Sequence, residues 1–156
     1  AARVVWLDAY VTNPDRTPRN PNLMVWDRRP WLIDHGSALY AHHDWARVDE
    51  ARTRTPFPLI REHVLLLEAG DLEAADARLA ATLTTDRLDG VLTAVPDGLL
   101  MDPRARGSFD SADEARARYT RWLVERLAPP RGFVAEARRA RAERGAQPAK
   151  RQEVRR

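Results

Sequence analysis

NPDRTPRNPNLMVWDRRPWLIDHG, residues Asn13–Gly36, decides how this chain is read. Prolines, asparagines and charges crowd its first ten positions, and these residues remove backbone donors or favour turns, so they predict a loop. Two apolar runs follow, Leu23 to Trp26 and Trp31 to Ile33, separated by Asp27-Arg28-Arg29-Pro30, four turn-type or charged residues. Runs of strand length around such a break predict a β-hairpin. Strands joined by a short turn run antiparallel, so the end of the second returns to the start of the first. Asp34, at the close of the hairpin, is therefore expected beside Asn20, at the close of the loop.

Upstream, ARVVWLDAYV carries Val4, Val5, Leu7 and Val11 at near-helical spacing and stops at Asn13-Pro14, which predicts a buried helix feeding the loop. Downstream the pattern is helical. Ile60, Val64 and Leu67 share one face, and Gly70-Asp71 supplies a stop and a new cap. Leu72, Ala75, Leu79 and Leu83 form the next stripe, followed by Leu88, Val91, Leu92 and Val95, which ends at Pro96. Ser111 and Glu114 have capping-box spacing and open a helix carrying Ala115, Tyr119, Trp122, Leu123 and Leu127, which Pro129-Pro130 breaks. A last helix over about residues 131–144 has Phe133, Val134 and Ala137 to bury. The expected fold is mainly α with a small β-hairpin. One domain spans residues 1–144, with the polar loop and hairpin in 12–40, and 145–156 is expected to be a disordered basic tail.

Composition narrows the function classes. The 156 residues include no cysteine, which excludes disulfides and thiolate metal sites, and no apolar run approaches the length of a membrane span. No secretory signal opens the chain, which gives the expectation of a soluble, cytoplasmic protein; the absence of an initiator methionine suggests a fragment. The net charge of +3 is concentrated at the end: Arg138 to Arg156 holds eight basic residues against two acidic ones, leaving the body slightly acidic. Nucleic acid is therefore not expected on the body, and only weak contact through the tail is allowed for.

Phosphoryl transfer from ATP requires a carboxylate to orient the acceptor hydroxyl, and an amide oxygen with a second carboxylate to hold magnesium on the phosphates. Asp15 and Asn20 have the five-residue spacing of kinase catalytic loops, and Asp34-His35-Gly36 stands where kinases place Asp-Phe-Gly. Magnesium prefers hard oxygen ligands and few of them from protein, so one amide and one carboxylate suffice. The plainer reading makes Asp15 and Asn20 turn formers and Asp34 a strand-end cap, which leaves their joint spacing unexplained. Arg16 and Asn22 are expected to stabilise the loop. His42-His43-Asp44 reads as a surface or capping element. Trp6, Trp26, Trp31 and Trp45 are expected to pack as core near the site.

NPDRTPRNPNLMVWDRRPWLIDHGSAL resembles the catalytic and metal-binding segments of the HipA-like kinase family, within the protein-kinase-like fold shared with phosphatidylinositol 3- and 4-kinases. The resemblance covers about residues 4–45. It implies the C-terminal lobe of such a kinase, with Asp15 as the catalytic residue, Asn20 and Asp34 as the magnesium and cofactor ligands, ATP as phosphate donor, and an acceptor that is protein, lipid or small molecule. Thr17 stands where these families commonly carry a histidine, and His35 replaces the phenylalanine of Asp-Phe-Gly. The phosphate-covering Gly-x-Gly-x-x-Gly is absent, and the only lysine, Lys150, lies in the tail. The N-terminal lobe is thus expected upstream, truncated or lost, and the chain by itself inactive. The alternative expectation is a non-catalytic lobe remnant serving as a binding or scaffold module.

Overall fold

A computed structural model describes residues 1–101 and 109–146. The part of the expected tail from residue 147 onward lies outside them. The first element, α1 (Ala2–Tyr10), is embedded in the body: Val5, Trp6, Asp8, Ala9 and Tyr10 are all buried. Two strands follow, β1 (Leu23–Trp26) and β2 (Arg29–Leu32), paired antiparallel with Leu23 opposite Leu32 and Trp26 opposite Arg29. The chain then runs through short 3-10 turns at Tyr40–His43 and Trp45–Arg47, a single turn α2 (Glu50–Thr53), and a third 3-10 turn at Pro58–Glu62. Five helices complete the body: α3 (Leu72–Thr82), α4 (Thr85–Thr93), α5 (Asp97–Leu100), α6 (Ala112–Leu127) and α7 (Gly132–Ala146). Among the described residues the molecule is mainly helical with one two-stranded antiparallel sheet, as the sequence led us to expect.

Local chemistry sets most helix starts. Asp71, Thr84 and Ser111 accept hydrogen bonds from the backbone N–H groups of Ala74, Arg87 and Glu114, three residues on in each case. Glu114 reaches back to the Asp110 N–H at 2.7 Å, one residue before the cap itself. Helix α1 is flanked by α3 and α7, and Trp6, Tyr10 and Phe133 form an aromatic triangle with ring centroids 5.2 to 5.9 Å apart. Asp76 ties this packing to the surface by accepting from the Trp6 indole at 2.8 Å and, bidentately, from Nε and Nη2 of Arg131 at 2.7 and 2.8 Å.

Four local expectations fail. The helix expected through Ile60, Val64 and Leu67 is only the 3-10 turn Pro58–Glu62; Ile60 is buried, Val64 half-buried, and Leu67 exposed while Leu66 is buried. The chain leaves helical register there because His63 turns inward onto buried Asp8, and its backbone neighbour Val64 donates to the Arg16 carbonyl. Val91 is exposed on α4, where only Leu88 and Leu92 face the core. Trp26 and Trp31 are 68% and 50% exposed, since the helical body does not cover that face of the hairpin; Trp6 and Trp45 are buried as expected. The hairpin turn is also shorter than its four-residue break implied, for Arg29 and Pro30 belong to β2.

That turn is Asp27-Arg28, and both residues have positive φ, 47° and 59°. Two positive φ values suit the right-handed twist of a hairpin, but glycine is the usual second residue because a side chain there costs about 1–2 kcal/mol. Arg28→Gly is expected to stabilise the protein by about 0.5–1 kcal/mol, since the larger backbone entropy of glycine offsets part of the relief. A urea titration checks it, and a lower midpoint in the variant would show that Arg28 holds the hairpin by a contact.

Candidate functional site

The loop between α1 and β1 begins with an abrupt helix stop. Thr12 takes a left-handed conformation, φ 54°, and the Asn13 N–H reaches back to the Asp8 carbonyl at 2.8 Å, which satisfies an end-of-helix oxygen. Glycine normally fills that position, and a β-branched residue there is strained. The Thr12 hydroxyl accepts from the Tyr40 N–H at 3.1 Å, and the Leu39 N–H donates to the Val11 carbonyl at 2.6 Å, so contacts from the segment beyond the hairpin hold the turn in place. Thr17 to Asn20 then form a tight turn with Pro18 at its second position, closed by reciprocal backbone bonds of 3.0 and 3.1 Å.

Asp15 lies half-buried on this loop. Its Oδ2 accepts from the side-chain amides of Asn20 at 2.9 Å and Asn22 at 3.2 Å. Its own N–H donates to the Asn13 amide oxygen at 3.2 Å. Both partners of Oδ2 are N–H donors, and Oδ1 accepts no hydrogen bond among the described residues, which leaves it open to an incoming hydroxyl. Asp34 is exposed at the end of the hairpin with φ 50°, a left-handed conformation that aspartate tolerates better than most residues. Its Oδ1 faces the Gly36 N–H at 3.4 Å.

The hairpin brings its two ends together as the register requires: the Ile33 N–H donates to the Asn22 carbonyl at 3.1 Å. The amide bridging the two acidic residues is that of Asn22, whose nitrogen also lies 3.4 Å from the Asp34 carbonyl oxygen. Asn20 is exposed, and its amide nitrogen donates to Asp15. Asn22 is buried at φ 46° and was legible only as a loop stabiliser. Its position immediately before the hairpin's first strand is the signal that could have marked it.

Beneath the loop sits a charged network in which Asp8, Arg16, Asn13 and His63 are buried and only the His35 ring reaches the exposed surface. Arg16 donates through Nε to Asp8 Oδ2 at 2.6 Å, and both side chains are fully buried. Its Nη1 reaches the Asn22 carbonyl, and its Nη2 lies 3.1 Å from His35 Nε2. His63 Nε2 contacts the same Asp8 oxygen at 2.9 Å, and the Leu65 N–H donates to His63 Nδ1 at 3.0 Å. Nδ1 is thus the acceptor and Nε2–H the donor. Asn13 donates to the second Asp8 oxygen at 3.0 Å. Burial alone would raise the Asp8 pKa; the hydrogen bonds from His63, Arg16 and Asn13 and the charge of Arg16 outweigh it and hold the carboxyl below its ordinary value. Arg16 and Asn22 stabilise the loop, as expected. Asp8 went unnoticed in the sequence because it is a single polar residue in an apolar segment, and His63 because it follows Arg61 and Glu62 in a polar run.

Among the described residues no three His, Asp or Glu side chains gather as a metal-binding group. The oxygen-bearing side chains of this loop and hairpin end are the carboxylates of Asp15 and Asp34 and the amides of Asn20 and Asn22, and both amide nitrogens donate to Asp15. His42 and His43 stack edge to face at 4.2 Å, and burial together with the neighbouring imidazole lowers the His42 pKa. The His42 ring lies 3.4 Å from the Tyr119 hydroxyl, which gives that pair a packing role. Comparison of the chain with protein-family models, with curated proteins and with solved structures found no match.

Proposed function

We propose that this chain is the C-terminal lobe of an ATP-dependent phosphotransferase of the HipA-like kind, with Asp15 orienting the acceptor hydroxyl and Asn20 and Asp34 serving Mg-ATP. The observation that carries this reading is the Asn22 amide set between the Asp15 carboxylate and the backbone of Asp34, which gathers loop and hairpin end at one solvent-facing edge. The donor set suits magnesium, which takes hard oxygens and keeps much of its water. Magnesium held there would neutralise charge on the transferring phosphate. The protein's own part is positional. Asn20 and Asn22 fix one Asp15 oxygen by donation, so its free oxygen presents a lone pair to the acceptor.

A second reading, a lobe-shaped binding or scaffold module without transfer activity, is favoured by one observation: the only lysine is Lys150, so the body has no candidate for the phosphate-pairing lysine of a kinase. Electron paramagnetic resonance of added Mn2+, a spectroscopic stand-in for Mg2+, tests the site. One bound Mn2+ that disappears in Asp34→Ala is the expected result, and equal binding by both proteins would remove the basis for the assignment. The chain alone is expected to transfer no phosphate from ATP. Magnesium-dependent phosphorylation lost in Asp15→Ala would show that no further lobe is required.

A further inference from the structure

We infer that Arg16 is a positioning residue for the metal-holding turn and that His35 is the contact through which it acts, an inference that rests on the phosphotransfer reading above. One guanidinium joins three segments: Asp8 of α1 through Nε, the Asn22 carbonyl before β1 through Nη1, and the His35 ring after β2 through Nη2. Arginine has donors only, so His35 must accept through Nε2. The Asn22 carbonyl and the Asn22 amide belong to one residue, and the amide spans Asp15 and Asp34. Fixing that carbonyl and His35 together therefore fixes the separation of the two acidic residues.

The device is rigid from below. Arg16 is buried and cannot swing toward water, and Asp8, which anchors it, is itself held by His63 and Asn13. Asp34 and Gly36 are exposed, the hydrogen bond to Asp34 Oδ1 from Gly36 is long, and within the turn the Ala38 N–H donates to the His35 carbonyl at 2.9 Å. The His35 ring adds the tether that joins this turn to the Arg16 guanidinium. Lysine cannot replace Arg16, since a single ammonium cannot reach three acceptors held in this fork. Glutamine can replace His35, because its amide oxygen can accept at the place of Nε2.

The test compares wild type, His35→Ala and His35→Gln as whole chains, by Mn2+ titration and, without metal, by amide hydrogen exchange at residues 33–36. His35 is exposed, so melting temperatures are expected to stay level and to exclude a folding defect. His35→Ala is expected to weaken Mn2+ binding about tenfold, in line with the loss of other residues that orient metal ligands, and to speed exchange at these amides. His35→Gln is expected to restore both to within about threefold of wild type. Mn2+ bound equally by all three proteins, with unchanged exchange, overturns the inference while leaving the site assignment intact. Wild type that binds no Mn2+ overturns the site assignment and this inference with it.

Discussion

Arg126→Met will destabilise the protein by about 3–5 kcal/mol, among the largest losses expected of any single substitution here. Arg126 is buried, and its guanidinium has no carboxylate partner among the described residues. It donates instead to four backbone carbonyls: Tyr10 at 2.7 Å, Ala9 at 2.9 Å, Thr53 at 2.5 Å and Thr55 at 3.2 Å. Ala9 and Tyr10 close α1, and the last carbonyls of a helix lack partners within it and carry its negative pole. A cation suits that place. Its flat face also lies 5.1 Å from the Trp122 ring and 5.3 Å from that of Phe133. Burial pushes the guanidinium pKa down to about 10, so the charge persists at neutral pH. Methionine preserves much of the packing between the rings but leaves four oxygens without donors. Guanidinium unfolding at neutral pH measures the cost, and a loss below about 1 kcal/mol would mean that water reaches these carbonyls unaided.

Asp8→Ala is expected to cost a comparable amount, about 3–5 kcal/mol, because it strands the Arg16 charge in a dry environment. Asp8→Asn keeps the shape but not the charge, and should fall between the two. The pH dependence follows from the depressed carboxyl pKa. A group whose folded pKa lies below its unfolded value of 3.8 contributes fully above that value, and the contribution fades as pH falls through the folded pKa. The stability gap between wild type and Asp8→Asn should accordingly be widest near neutral pH and narrow below about pH 4. Denaturant titrations of both proteins at neutral pH and near pH 3 check this; a gap that widens on acidification would mean that the carboxyl is protonated in the native state.

What the sequence disclosed follows from how each signal is encoded. The hairpin, α1 and the caps at Asp71 and Ser111 depend on neighbours within a few positions, so they could be read directly. The proximity of loop and hairpin end was legible too, because antiparallel pairing forces it. The choice between Asn20 and Asn22 as the bridging amide was not, since it turns on a single left-handed residue, Asn22, at the strand entrance. His63 was hidden for a different reason. Its partner Asp8 lies fifty-five residues earlier, and the apolar spacing around it favoured a helix that the buried hydrogen bond overrides. Arg126 sits four residues after Trp122 on the buried stripe of α6, where a charged residue ordinarily marks the solvent side.

The grip of Arg126 on the end of α1 also bears on the order of events during synthesis. The residues that mark this chain as a candidate phosphotransferase, Asp15 to Asp34, all emerge well before α6. Yet the carbonyls of Ala9 and Tyr10, from which the loop departs, find their donor only when α6 has been made. Contacts of such long sequence separation form late, because the intervening chain must first give up its freedom. A nascent chain halted before α6 would hold every residue of the motif and lack the support that fixes its departure point. Excised as a peptide, the same stretch would keep its spelling and lose its geometry.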